Sequence, residues 1–189
     1  MEEELVRTTL LEMKERSLKF TMDDLARKLH VSKTSIYKVV KSKEELVRLV
    51  MHWEMERFSQ KTKELLYGKR AVNKRLMAFC GLFFETFWYL PEGVNEDLKS
   101  HYRDIWEEWN VYRRGRLDDM MLLLEEGVRK GEYRNVNLPV VRHCVFCAAE
   151  GLTDPEFLKE NNMTGRDALE ALEDIMLNGL KAKDGEVRK

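Results

Sequence analysis

Apolar residues recur along most of this chain at intervals of three and four, the spacing that lines up one face of an α-helix. Glycine and proline mark breaks in that pattern at Gly68, Pro91, Gly131, Pro139 and Pro155. The pattern predicts helices over residues 23–29, 33–39, 43–67, 71–90, 95–102, 105–130, 138–152 and 165–182. No internal repeat and no glycine-, serine- or proline-rich linker separates these segments.

Composition favours the same structure. Leucine occurs 25 times and isoleucine three times in 189 residues, and leucine favours helices whereas isoleucine favours strands. With 43% hydrophobic and 35% charged residues, the chain is expected to be globular and all-α.

The sequence carries no export or membrane signal. Its longest uninterrupted apolar run, residues 76–84, is about half of what spans a bilayer. The chain begins with three glutamates where a secretory signal would be basic, and three cysteines cannot form a fully paired disulfide framework. A cytoplasmic protein without a membrane partner is therefore expected.

Charge is unevenly distributed, although the net charge is only −1. Residues 25–43 contain six basic and no acidic side chains, and the first 50 residues hold 11 basic and 9 acidic groups, a net charge of +2. The rest of the chain is therefore at −3. A compact cationic segment suits a polyanion such as a phosphate backbone, although a solvated helix face would give the same run.

Local signals divide the cationic segment into two short helices and a turn. Thr21 followed by Asp24 is a variant capping box, and Ser32 is a second N-cap. Ala26, Val31 and Ile36 are expected to face inward, so that two steeply crossing helices pack closely.

The outward face of the second helix carries short hydroxyls, a tyrosine and lysines. These residues are Lys33, Thr34, Ser35, Tyr37 and Lys38. Such a face suits entry into the DNA major groove, and the Ser32 and Lys33 amides can approach phosphate.

Residues 21–50 resemble the DNA-binding domain of TetR/AcrR-type transcriptional regulators. The resemblance rests on the segment VSKTSIY at 31–37 and on KSKEEL at 41–46. It implies a three-helix helix-turn-helix head over residues 1–50 and a larger helical effector-binding and dimerisation body over 51–189. It also implies homodimers on palindromic double-stranded operators.

The resemblance further implies roles for individual residues. Tyr37 and Lys43 would meet phosphates, and Thr34, Ser35 and Lys38 would face the groove. The full set expected at DNA is Thr21, Ser32, Lys33, Thr34, Ser35, Tyr37, Lys38 and Lys43. The sequence departs from the family pattern at two places. His30 stands at the turn position where the family usually has glycine, and valines 39–40 stand where it usually has an aromatic pair. We therefore predict either that His30 adopts a left-handed backbone conformation or that the turn is slightly reshaped.

Aromatic residues concentrate between Phe79 and Tyr112, which hold ten of the eighteen in the chain. They would line either a cavity for an apolar or aromatic effector or an ordinary packed core. The expected ligand-binding residues are Phe79, Phe83, Phe87, Trp106, Trp109 and Tyr112. Glu85 is expected to be exposed, and the charge of the effector stays open.

Two further patterns lie near the C-terminus. Cys144 and Cys147 form a C-x-x-C without further metal ligands in sequence, so close packing is the favoured interpretation and neither metal nor cofactor is expected. Apolar faces on the last two helices predict a four-helix dimer interface, with burial inside the monomer as the alternative. These faces comprise Val141, Cys144, Val145, Ala148 and Leu152, and Ala168, Leu169, Leu172, Ile175, Met176 and Gly179.

The chain shows no glycine-rich phosphate loop, zinc-protease motif or nucleophile elbow, so an enzyme is not expected. The predicted function is a homodimeric, sequence-specific DNA-binding regulator, most simply a repressor released by a small ligand. The alternative is a non-catalytic helical protein-interaction module without specific DNA binding.

Overall fold

The computed structural model describes residues 1–87 and 93–180, and within these ranges the chain forms ten α-helices and no strand. The helices are α1 (Glu2–Arg16), α2 (Met22–Lys28), α3 (Lys33–Tyr37), α4 (Lys43–Tyr67), α5 (Val72–Phe87), α6 (Val94–His101), α7 (Arg103–Arg129), α8 (Leu138–Leu152), α9 (Pro155–Glu160) and α10 (Gly165–Leu180). A short 3-10 helix, Ser17–Lys19, follows α1. The all-α prediction is confirmed.

The predicted helix ranges agree closely with the observed ones. The long helix α4 runs from Lys43 to Tyr67 as expected, and α8 has the expected bounds. Two helices have no counterpart among the predicted ranges. One is α1. The other is α9, because Pro155 was interpreted as part of a turn whereas it occupies the first position of a helix capped by Asp154. The predicted ends of the helices over 71–90 and 165–182 lie outside the described residues.

The chain divides into two compact units. Unit 1 comprises Met1–Arg57 and Leu90–Tyr112, and unit 2 comprises Phe58–Tyr89 and Arg113–Lys189. Unit 1 contains the whole predicted head, 1–50, and extends beyond it. Helices α4 and α7 each contribute residues to both units.

The core of unit 1 is formed by the inward faces of its helices. Its fully buried members include Leu5, Leu25, Ile36, Leu46, Val47 and Val50. A buried carboxylate, Glu12, lies among them and is paired with Lys28 and Arg16.

Unit 1 also contains a polar connection between its two chain segments. The Asp97 carboxylate accepts hydrogen bonds from the Ser17 hydroxyl at 2.6 Å and from the Leu18 amide at 3.1 Å. Ser17 has a φ of 57°, which is uncommon for a residue other than glycine. These bonds hold the chain at the break where α1 ends.

Unit 2 is built on aromatic packing and contains the buried arginines Arg75 and Arg113. Arg75 donates to the Leu66 carbonyl at 3.0 Å and the Leu65 carbonyl at 3.2 Å, which satisfies acceptors at the C-terminal end of α4. Its guanidinium also bonds Glu126 at 2.5 Å, and Lys130 bonds the same carboxylate.

Because of this arrangement, the protein is expected to lose stability when the pH becomes acidic. The hydrogen bond from Arg75, followed by that from Lys130, lowers the pKa of Glu126 to about 2 from an ordinary value of 4.5. Glu126 therefore contributes stability that is fully present above pH 4.5 and is lost as the pH falls towards 2.

We expect Glu126→Gln to be less stable than the wild type at pH 7, with a difference that shrinks between pH 4.5 and pH 2. Urea unfolding across this range measures the difference, and Glu125→Gln at the exposed neighbouring position is the control. A Glu126→Gln deficit that is constant with pH would contradict the ion-pair explanation.

Candidate nucleic-acid interface

The first helix of the predicted motif begins in a complete capping box. The Thr21 hydroxyl accepts the Asp24 amide at 3.2 Å, and the Asp24 carboxylate accepts the Thr21 amide at 2.9 Å. The Thr21 hydroxyl also donates to the Asp24 carboxylate at 2.7 Å, and this bond, followed by that from the Thr21 amide and then by the nearby Arg27, lowers the pKa of Asp24. The cap fixes the start of α2, and Thr21 itself remains exposed.

The turn between α2 and α3 has the predicted conformation. His30 lies in the left-handed region with a φ of 54°, and the Val31 amide bonds back to the Ala26 carbonyl at 3.0 Å. The backbone after α2 therefore has the left-handed conformation that glycine usually provides at the end of a helix, and here histidine adopts it. The prediction for His30 is confirmed.

Helix α3 is short and is anchored by its N-cap. The Ser32 hydroxyl accepts the Ser35 amide at 3.0 Å and bonds the Ser35 hydroxyl at 2.8 Å. Ile36 is buried, as predicted, whereas Ala26 and Val31 are only half-buried. Val40 is buried too, so the departure at valines 39–40 supplies at least one core residue.

The expected groove-facing side chains lie on the outer surface of α3. Lys33, Thr34 and Lys38 are exposed, and Tyr37 keeps 42% of its surface accessible. Ser35 is half-buried and is engaged with Ser32. The structure thus brings the predicted α3 residues together on one helix, and their contacts with DNA stay a prediction.

Lys43 has a different environment from the other predicted residues. Its ammonium donates to the Leu18 carbonyl and lies 4.5 Å from the centre of the Phe20 ring, and burial lowers its pKa. Because an ammonium has three donors, a bond to Leu18 leaves two for a phosphate.

Sequence reasoning missed the part that Asp97 takes in holding this segment. Asp97 lies 79 residues after Leu18, and the two are joined by a single hydrogen bond across unit 1. The hydrogen bond between Leu18 and Asp97 could not be predicted from a local motif, because a carboxylate in the first turn of a helix is common in any sequence.

The six predicted ligand-binding residues fall into two sets. Phe79, Phe83 and Phe87 are fully buried in unit 2, where all three rings pack around Phe58 with centroids 4.9–6.3 Å away. In the structure these rings form a packed cluster.

The second set lies in unit 1. Trp109 is fully buried, Trp106 has the Lys99 ammonium 4.7 Å from its ring centre, and Tyr112 donates to the Met55 carbonyl at 2.7 Å. Glu85, on α5 of unit 2, is exposed as predicted.

The interpretation of the C-x-x-C as close packing is wrong for the single chain, since both thiols are exposed. The Cys147 sulfur lies 3.5 Å from the His143 imidazole. Among the described residues, no group of three histidine, cysteine or acidic side chains could hold a metal ion.

The predicted interface faces of α8 and α10 are only partly available. Val145 on α8 and Ala168 and Leu169 on α10 are buried within the chain, because their helical phase turns them inward. An exposed small or apolar face remains beside them. It comprises Val140, Cys144, Cys147 and Gly151 on α8, and Ala171, Ile175 and Gly179 on α10.

Within residues 1–87 and 93–180, no helix combines the length and the apolar character needed to cross a membrane. No protein-family model matches the chain.

The chain is 24% identical over 189 residues to the uncharacterized HTH-type transcriptional regulator YvaF of Bacillus subtilis strain 168, and the match covers 97% of each protein.

Two solved structures share the whole architecture. A TetR-family regulator from Agrobacterium tumefaciens matches with a TM-score of 0.73 at 16% identity, covering 96% of this chain and 97% of that one. The regulator FadR from Bacillus subtilis in complex with stearoyl-CoA matches with a TM-score of 0.66 at 14% identity, covering 95% and 100%. The resemblance indicated by residues 21–50 is therefore confirmed, and this chain has the fold of the TetR-family transcriptional regulators.

Proposed function

We propose that this protein is a sequence-specific, homodimeric DNA-binding regulator, and that it acts as a repressor released by a small apolar or aromatic ligand. The observation that carries the proposal is the helix-turn-helix itself. It combines the left-handed turn at His30 with the outward face of α3, where Lys33, Thr34, Tyr37 and Lys38 are accessible together.

Selection from random duplexes tests this function directly. Purified protein is equilibrated with the pool at two salt concentrations, and the bound fraction is sequenced. Enrichment of a palindromic motif supports the regulator. Weak binding without enrichment that vanishes at modest salt would instead support the protein-interaction alternative, because backbone contacts alone are sequence-independent and sensitive to salt.

Two substitutions on α3 should have different effects on DNA binding. Tyr37→Phe removes one hydroxyl expected at a phosphate, so it should weaken binding to all duplexes alike, by about 0.5–1.5 kcal/mol. Lys38→Met removes a side chain expected in the groove, so it should change which motif is enriched. Repeating the selection with each variant measures both effects, and a uniform loss for Lys38→Met would contradict its groove position.

Dimerisation is proposed through the exposed face of α8 and α10. These two helices contact each other in unit 2, and Ile175 is 70% exposed and Val140 is 55% exposed in the single chain. Light scattering should give twice the mass of 22.5 kDa. Ile175→Glu should shift the protein towards the monomer, whereas Glu85→Gln, on the exposed surface of α5, should leave the mass unchanged.

Ligand control is proposed through the phenylalanine cluster. Phe58, which contacts Phe79, Phe83 and Phe87, is on α4, the same helix that begins at Lys43. A ligand that displaces Phe58 would act on a helix shared with the head. It would lower DNA affinity by the same factor by which DNA lowers ligand affinity.

Stearoyl-CoA is a reasonable first probe, because a solved protein of this fold binds it. The operator affinity is measured with and without saturating stearoyl-CoA, and then with a planar aromatic compound in its place. Unchanged affinity with every bound ligand would contradict ligand control while leaving DNA binding intact.

A further inference from the structure

An acidic side chain folds against the start of the exposed helix α3. Asp23 precedes the acid-free segment 25–43, and its carboxylate lies 2.9 Å from the Lys33 ammonium. Both side chains are largely accessible to solvent. The hydrogen bond that Lys33 donates to Asp23, followed by the negative charge of Asp23, raises the pKa of Lys33, which keeps the lysine protonated.

The pair lies at the elbow between α2 and α3. A shallow hollow there is lined by Asp23, Ala26, Arg27, His30, Val31 and Lys33. A carboxylate on such a surface opposes any phosphate that approaches it, and an ion pair between exposed side chains contributes little to stability. The observed geometry therefore turns the Lys33 ammonium towards Asp23, and the weakness of the pair lets a better acceptor replace the carboxylate.

This step rests on the proposed DNA-binding function. We propose that Asp23 is a positioning residue that sets sequence discrimination by holding Lys33 towards α2. On non-cognate DNA the ammonium stays with Asp23, so each head offers one cation fewer to the phosphates. On the operator, a base edge such as guanine O6 and N7 offers Lys33 a directed acceptor that replaces the carboxylate.

The head offers a matched control for the change in charge. Lys28 is paired with Glu15 at 3.0 Å and is also paired with the buried Glu12. Glu15→Gln and Asp23→Asn therefore each remove one negative charge from the head. In Glu15→Gln, however, Lys28 remains paired with Glu12. Any general gain in affinity from lost negative charge appears in both variants.

The experiment measures the salt dependence of binding to a random duplex, together with the motif enriched from the pool, for five proteins. These are the wild type, Asp23→Asn, Glu15→Gln and Lys33→Met, and the double variant Asp23→Asn with Lys33→Met completes a cycle. Thermal unfolding confirms that each variant folds.

We expect Asp23→Asn to steepen the plot of log affinity against log salt by about 0.9 for each head, the increment for one additional phosphate contact. Its ratio of operator to random-duplex affinity should fall by about threefold or more, and its enriched motif should lose definition at one position in each half-site. Asp23→Asn in the Lys33→Met background should change neither the slope nor the motif.

Two results would overturn the inference. One is an equal change in Glu15→Gln, which would reduce the effect to general charge. The other is an Asp23→Asn effect that persists without Lys33. Failure of the wild type to enrich any motif would be a separate result, because it would reject the DNA-binding function on which the inference rests.

Discussion

Replacing Phe83 by alanine should lower the free energy of unfolding by about 3–5 kcal/mol, the range for deleting a fully buried phenyl ring. Phe83 is fully buried, and its ring lies 5.1 Å from that of Phe87, 5.8 Å from Phe84 and 6.1 Å from Phe79. Removing it takes away four ring contacts, including that with Phe58 at 6.3 Å, and leaves a void that close neighbours fill only in part.

Urea unfolding of Phe83→Ala beside Phe83→Leu separates a packed core from a preformed cavity. Leucine retains most of the buried volume, so its cost should stay below that of alanine. A cost below about 1 kcal/mol for Phe83→Ala would mean that the ring already borders empty space. That outcome would favour a ligand cavity over a packed core, the two alternatives that the aromatic pattern in the sequence did not distinguish.

The sequence predicted the head well because its signals are local. Thr21, Asp24 and Ser32 form their caps within three residues, and the conformation of His30 follows from the turn that a helix-turn-helix requires. The bounds of α4 could also be predicted from local signals, because Ser42 precedes its first residue and Gly68 follows its last. A Cβ at Gly68 would come within 2.3 Å of the Glu64 carbonyl oxygen.

What the sequence did not predict depends on distant partners or on helical phase. Asp97 and Leu18 are 79 positions apart, and nothing local pairs them. On α8, the predicted inward face included Val145 and Cys144. The structure buries Val145, but it exposes Cys144, one position earlier, and Cys147, two positions later. The apolar pattern does not fix that phase, because the exposed Cys144 and Cys147 are of a residue type that is usually buried, as Val145 is.

Replacing Lys28 by methionine should destabilise the protein by about 3 kcal/mol, because it strands a buried carboxylate. Glu12 has no accessible surface, and Lys28 is its direct partner. Arg16 lies farther away, with its nitrogen 3.6 Å from the other carboxylate oxygen. The loss should therefore lie at the lower end of the usual range for breaking a buried ion pair.

The matching double variant distinguishes stranded charge from lost packing. In Glu12→Leu with Lys28→Met both charges are gone and apolar volume replaces them, so stability should recover to within about 1 kcal/mol of the wild type. Lys14→Met on the exposed face of α1 removes one positive charge without touching the pair, and it should change stability by less than about 0.5 kcal/mol. If the double variant is no more stable than Lys28→Met alone, the stranded-charge explanation is wrong, because the two variants differ only in whether Glu12 is present.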